Sequence, residues 1–150
     1  MTMNINGRNK KMTNIKKIKL YTILFHSFII IGAGHGIGVM LFFDYLSIPM
    51  LFNNGIEYNL NAEYQDRLML VGLISIIGKI TLILSIFINL NKIKNVITLI
   101  GIILLWISVF FLTSGNWFYN WLYGFTFLTS IPFLIYSIKL TQLIFKNKRV

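Results

Sequence analysis

The chain has no cysteine, which excludes disulfides, thiolate zinc sites and iron–sulfur clusters. Acidic residues are almost as scarce. Asp44, Glu57, Glu63 and Asp66 are the only four among 150 residues, and all lie within residues 44–66. No pair of carboxylates is therefore spaced along an apolar segment for acid–base work. Charged residues make up 12% of the chain, about half the share of a soluble domain. There are two prolines and two histidines. No nucleophile–base pair and no cluster with metal-ligand spacing can be assembled from this inventory, so no catalytic residue and no metal site is assigned.

Apolar side chains fill the gap. They account for 56% of the residues, and the mean hydropathy is +0.73. Four long apolar runs stand out, at about 20–43, 68–88, 96–113 and 117–138. A bilayer core about 30 Å thick needs about 20 helical residues to cross it. Backbone groups in lipid must be satisfied within the segment, and the runs lack the alternation of barrel strands. The expected fold is all-α: a polytopic membrane protein built as a four-transmembrane-helix bundle. The expected membrane domain is 19–145, with basic tails at 1–18 and 146–150 and one sizeable loop at 44–66.

Charge sets the expected orientation. Arg8, Lys10, Lys11, Lys16, Lys17 and Lys19 precede the first run; Lys92 and Lys94 separate the second from the third; Lys139, Lys146, Lys148 and Arg149 follow the fourth. Twelve of the fourteen basic residues thus fall on one side. The positive-inside rule places both termini in the cytoplasm (N-in/C-in) of a bacterial-type inner membrane. The net charge of +10 flanks apolar runs and does not line a face, so nucleic acid is not the expected partner. A signal-peptide reading of the N-terminus fails on length, because the apolar run continues through "IGVMLFF".

The first run contains "GAGHGIG", residues 32–38. A dinucleotide loop would need glycine at 37, where Ile37 stands, and a preceding strand in a βαβ unit. Read as membrane helix, Gly32 with Gly36 and Gly34 with Gly38 form two overlapping GxxxG pairs, faces for close helix packing within the bundle or between subunits. His26 and His35, nine residues apart, would lie on opposite faces of one helix. That separation counts against a bis-histidine haem or two-histidine metal site in one chain.

Lys79, in "GLISIIGKITLIL", lies roughly 15 Å from the end of the second run at Asn89, on a rise of about 1.5 Å per residue. A charge at that depth faces the bundle interior or a wet cavity. Gly72 and Ser75 share its face. Asp44, taken as the outer end of the first helix, leaves no carboxylate at the depth of Lys79. The ammonium is then expected to be neutralised, bonded to carbonyls or hydroxyls, or paired outside the chain. Lys79, His35 and His26 form the candidate intramembrane polar site. In the loop, Asn61 is the expected cap of the second helix, and Glu63 can pair with Arg67. Trp117, Phe118, Tyr119, Trp121 and Tyr123 form an expected interfacial aromatic belt. Pro132, after Thr129 and Ser130, is expected to kink the fourth helix.

The stretch "HSFIIIGAGHGIGVMLFFDYLSIP" with the four-run layout resembles the DoxX-like membrane proteins, through Gly34, His35, Gly36 and Pro49. The resemblance covers about a fifth of the chain. The family's basic residue after the His-Gly pair is replaced by Val39, Met40 and Leu41. The resemblance implies an accessory subunit near membrane redox or quinone chemistry, and it transfers no catalytic residue. Three functions are open at this point. The first is a non-enzymatic accessory or interaction subunit of a membrane complex or homo-oligomer. The second is a small transporter or oligomeric channel with Lys79 in its pathway. The third is a lipid- or quinone-binding protein; no other cofactor is expected.

Overall fold

The computed structural model describes residues 5–33, 36–55, 64–114 and 121–148. The element order is α1 (Ile5–Ser27), β1 (Ile30–Ala33), β2 (Gly36–Val39), α2 (Met40–Asn54), α3 (Tyr64–Phe87), α4 (Asn91–Thr113) and α5 (Trp121–Lys148). Among the described residues, three segments are long and apolar enough to cross a membrane: Arg67–Phe87, Asn91–Thr113 and Trp121–Lys146, with mean hydropathies of 2.3, 2.7 and 1.4. The protein is a mostly helical integral membrane protein.

The first apolar run is not one helix. The expected helix over 20–43 stops at Ser27, gives way to an antiparallel β-hairpin, and restarts at Met40. The local reason is composition. Four glycines fall between 32 and 38, each costing about 1 kcal/mol relative to alanine inside a helix. The intervening Ile30, Ile31, Ile37 and Val39 are β-branched and suit a pleated strand. Gly32 stands opposite Ile37, Gly38 opposite Ile31 and Gly36 opposite Ala33. The GxxxG reading of Gly32, Gly36 and Gly38 as helix faces is therefore corrected: they are strand residues. Gly34 and His35 lie outside the described residues. Close approach survives in another form, because a Cβ on Gly32 would collide with Leu122 of α5.

Two more expectations change with the break. The first half of the supposed 44–66 loop, through Asn54, is helix α2, with Pro49 inside it. Gly55 (φ 72°) closes this helix, its N–H donating to the Leu51 carbonyl at 3.1 Å. The supposed tail over 1–18 is helical from Ile5. At the other end, α5 runs well past 138, to Lys148. Pro132 sits inside α5, and the neighbouring Thr129 and Ser130 hydroxyls donate to the Thr126 and Phe127 carbonyls at 3.0 and 2.7 Å.

α3 and α4 are antiparallel and meet at two glycines. A Cβ on Gly101 would lie 2.9 Å from Leu82 Cγ and 3.1 Å from the Gly78 carbonyl oxygen; one on Gly78 would lie 2.8 Å from Leu105 Cδ2. This is small-residue backbone approach, the packing available where lipid removes the hydrophobic drive between helices. α1 lies on α5, through Tyr21, Phe25 and Tyr136 (ring centroids 5.0–5.5 Å from Tyr136) and the His26 ring edge-on to Phe133 at 4.8 Å. The β1 edge also rests on α5, where the Ile30 N–H donates to Thr129 Oγ1 at 3.1 Å.

Each end of the α3–α4 pair is closed by a cation. Lys19 Nζ donates to Ser85 Oγ at 2.8 Å and to the Ser85 carbonyl at 3.3 Å, in the last turn of α3. Arg67 donates to the Ser114 carbonyl and hydroxyl at 3.4 and 3.5 Å, just beyond α4. Orphan carbonyls at a helix C-terminus and the negative end of its dipole favour both contacts. The expected Glu63–Arg67 pair and the Asn61 cap involve residues outside the described set. Burial and the charges of Lys94 and Lys16 push the Lys19 ammonium down to about 8.

Candidate functional site: a buried ion pair where the helix is broken

The break in the first run relocates Asp44. It is now in the second turn of α2, only four residues after the helix begins, where the N-terminal dipole favours a carboxylate. Contacts along the α2–α3 seam run antiparallel. Ser47 meets Gly72, and Asp44 meets Lys79. A Cβ on Gly72 would collide with the Ser47 hydroxyl, so this glycine admits α2 to the face of α3 that carries Ser75 and Lys79. Lys79 Nζ donates to Asp44 Oδ2 in a salt bridge whose residues are 8% and 5% exposed. The expectation that no carboxylate reaches Lys79 is thereby corrected. Its premise, a continuous helix carrying Asp44 to the outer end, does not hold.

His26 forms the second half of the site. It is fully buried, and Nε2 lies 2.8 Å from Ser108 Oγ of α4. The Ser108 hydroxyl donates to the Leu105 carbonyl at 2.8 Å. Nε2 thus shares Ser108 with the Leu105 carbonyl, and Nδ1 is left without a hydrogen-bond partner. The charge of Lys79 is felt at this imidazole. His26 and Lys79, named separately from the sequence, are thus brought into one neighbourhood with Asp44 and Ser108.

The neighbourhood is incompletely satisfied. Among the described residues, His26 Nδ1, Asp44 Oδ1, Ser75 Oγ and Thr126 Oγ1 are buried without a hydrogen-bond partner. An unpaired buried polar atom costs about 1–3 kcal/mol, and native interiors keep few of them. Asp44 Oδ1 belongs to the ion pair itself, Ser75 lies one turn before Lys79 on α3, and His26 feels the charge of Lys79; Thr126 is on α5, and a fifth such atom, Arg67 Nε, is at the start of α3. Chemically, Asp44, His26 and Ser75 offer a carboxylate oxygen, an imidazole nitrogen and a hydroxyl, groups that can take up or pass a proton. Among the described residues no group of three His, Cys, Asp or Glu is placed to hold a metal.

The aromatic belt is only partly described. Trp117, Phe118 and Tyr119 lie outside the described residues. Trp121 is 65% exposed and packs near Phe125 at 5.8 Å, as an anchor would. Tyr123, expected beside it in the belt, is turned inward instead and is 9% exposed. Asp44, Ser108 and Lys19 are the site and support residues that the sequence reading did not select. The signal for Asp44 was the glycine run itself, read as a break in the helix.

No protein-family model, curated protein or solved structure matches this chain.

Proposed function

We propose that this protein is a small transporter in which the Asp44–Lys79 pair is the central polar site and the ion it handles is the proton. The observation that carries the reading is that buried pair, seated where the first apolar run is interrupted. With Lys16, Lys17, Lys19, Lys92 and Lys94 on the cytoplasmic side, the chain crosses the bacterial inner membrane four times, N-in and C-in. The first crossing is made in two halves: α1 from Leu20 onward, then α2, which runs in the same sense. Lys79 stands two residues from the midpoint of Arg67–Phe87, or about 3 Å along the axis. Discontinuous helices meeting at mid-depth are how many transporters build a polar site inside lipid, since irregular backbone is tolerated only where protein or a cavity satisfies it.

Stability does not account for the pair. Desolvating two charges offsets most of what their attraction returns, so an apolar replacement of both is close to neutral. An intramembrane ion pair is therefore read first as a working group. Protonation of Asp44 releases Lys79. The unpartnered Asp44 Oδ1 and His26 Nδ1 are the atoms through which a proton reaches and leaves the pair. The test is proton flux in proteoliposomes loaded with a pH-sensitive dye. Wild-type protein should dissipate an imposed pH gradient, and a folded Asp44→Leu/Lys79→Met variant should not. Equal flux from the two proteins removes the pair from any pathway. One other observation, an open strand edge on β2, favours a second reading as a subunit of a larger membrane assembly.

A further inference from the structure

The hairpin poses an accounting problem that the ion pair does not touch. The Met40 N–H donates to the Ile29 carbonyl at 2.8 Å, so residues 29 and 40 are a hydrogen-bonded pair. In an antiparallel ladder such pairs alternate. The register, Ile30↔Val39 through Ala33↔Gly36, then makes 31–38 and 33–36 bonded pairs. Ile30, Gly32, Ile37 and Val39 must point their backbone groups outward. On the β1 side the outward Ile30 N–H finds Thr129 of α5. On the β2 side no protein group among the described residues meets the N–H or C=O of Ile37 or the N–H of Val39. The Val39 carbonyl is spared, because it opens the hydrogen bonding of α2 as its N-cap.

This edge lies at membrane depth. The hairpin packs along the start of the apolar span Trp121–Lys146, with Gly32 against Leu122 and Ile30 bonded to Thr129. Ile37 is 63% exposed and Val39 37%. A groove of about 690 Å³ opens beside them, walled by Ile37, Gly38, Val39, Phe42, Phe43 and Leu46. Acyl chains cannot donate or accept hydrogen bonds. These walls carry no polar side chain that would hold water in place. An open sheet edge is not stable facing hydrocarbon, and the group that satisfies a strand edge is another strand edge.

We propose that β2 pairs antiparallel with β2 of a second copy of this chain, joining two hairpins into a four-stranded sheet inside the membrane. An identical chain fits because the edge is self-complementary. With Ile37 opposite Ile37 of the second copy, each residue offers one N–H and one C=O to the other across a two-fold axis, which is the isologous arrangement of symmetric dimers. Gly36 and Gly38 flank Ile37 without side chains, leaving the second hairpin free to approach. The inference stands on the hairpin alone and is independent of the transport reading.

The absence of native cysteine makes the test direct. Ile37→Cys places a single thiol on the proposed axis, where a bonded antiparallel pair holds Cα atoms about 5.5 Å apart, inside the roughly 4.4–6.8 Å that a disulfide spans. The full chain is reconstituted in phosphatidylethanolamine/phosphatidylglycerol vesicles at low protein-to-lipid ratio and mildly oxidised. Ile37→Cys should convert mostly to a covalent dimer. Phe87→Cys, 75% exposed at the far end of α3, should cross-link at least tenfold less. Native mass spectrometry of the unsubstituted protein released from the same vesicles should show a dimer, which keeps the question decidable if the variant folds poorly. A monomer by mass spectrometry, equal cross-linking at the two positions, or capture of a different protein by the Ile37→Cys variant in native membranes would each overturn the proposal.

Discussion

Removing one member of the Asp44–Lys79 pair should cost far more than removing both. Lys79→Met leaves a carboxylate at a position 5% exposed, with Oδ1 already unpartnered. Asp44→Leu leaves an ammonium at mid-depth on α3, with His26 as the nearby titratable group. Two unit charges about 4 Å apart in an effective dielectric near 20 attract by about 4 kcal/mol, and breaking buried pairs from one side costs about 3–5 kcal/mol. Each single variant should lose about that much. The double variant Asp44→Leu/Lys79→Met should fall within about 1 kcal/mol of wild type, because it removes the stranded charge as well as the attraction. The assay is reversible unfolding in mixed micelles, followed by far-ultraviolet circular dichroism and evaluated as a double-mutant cycle. If the two single losses simply add in the double variant, the groups are not coupled and the description of the site is wrong.

Two further predictions concern the frame around the site. Gly101→Ala pushes a methyl into Leu82 and toward the Gly78 carbonyl; overpacking of this kind costs about 1–3 kcal/mol, and the same unfolding assay should show it, while Gly55→Ala, which meets nothing within 4 Å, should lose about 1–3 kcal/mol through backbone strain alone, because φ 72° with ψ −168° is a conformation essentially restricted to glycine. Lys19 titrates near 8 when folded against 10.5 ordinarily, so between those values the unfolded chain binds the extra proton and stability rises with pH. Below about pH 8 that unfavourable contribution is fully present. Lys19→Met should therefore flatten the difference in stability between pH 8 and pH 10.5, and a variant that keeps the wild-type slope would place the titration elsewhere.

Much of the architecture was legible because it is local. The runs that became α3, α4 and α5 are long and apolar enough to declare themselves by length, and Lys79 stood out as a charge in the middle of one. The first run defeated the same reasoning, since four glycines support two opposite inferences: close helix packing, or no helix. The choice depends on whether partners exist for the freed backbone groups, and Met40 pairing with Ile29, or Ile30 with Thr129, is contact that periodicity does not encode. Once the helix was taken as continuous, Asp44 was carried to the wrong depth and its pairing with Lys79 became invisible. His26 is legible as a buried polar residue, but Ser108, 82 positions away, could be assigned to it only by a tertiary contact between α1 and α4. Tyr123 shows the same limit on a smaller scale, because an aromatic at a helix start can anchor in the interface or turn into the bundle.

The central claim is that the broken first span and its ion pair form a proton-handling site, and proteoliposome flux tests it most directly. The account predicts that wild-type vesicles collapse an imposed pH gradient faster than protein-free vesicles. It also predicts that Asp44→Leu/Lys79→Met, shown by circular dichroism to be folded, returns the rate to the protein-free level. A wild-type rate equal to that of empty vesicles, or a double variant as fast as wild type, would contradict it.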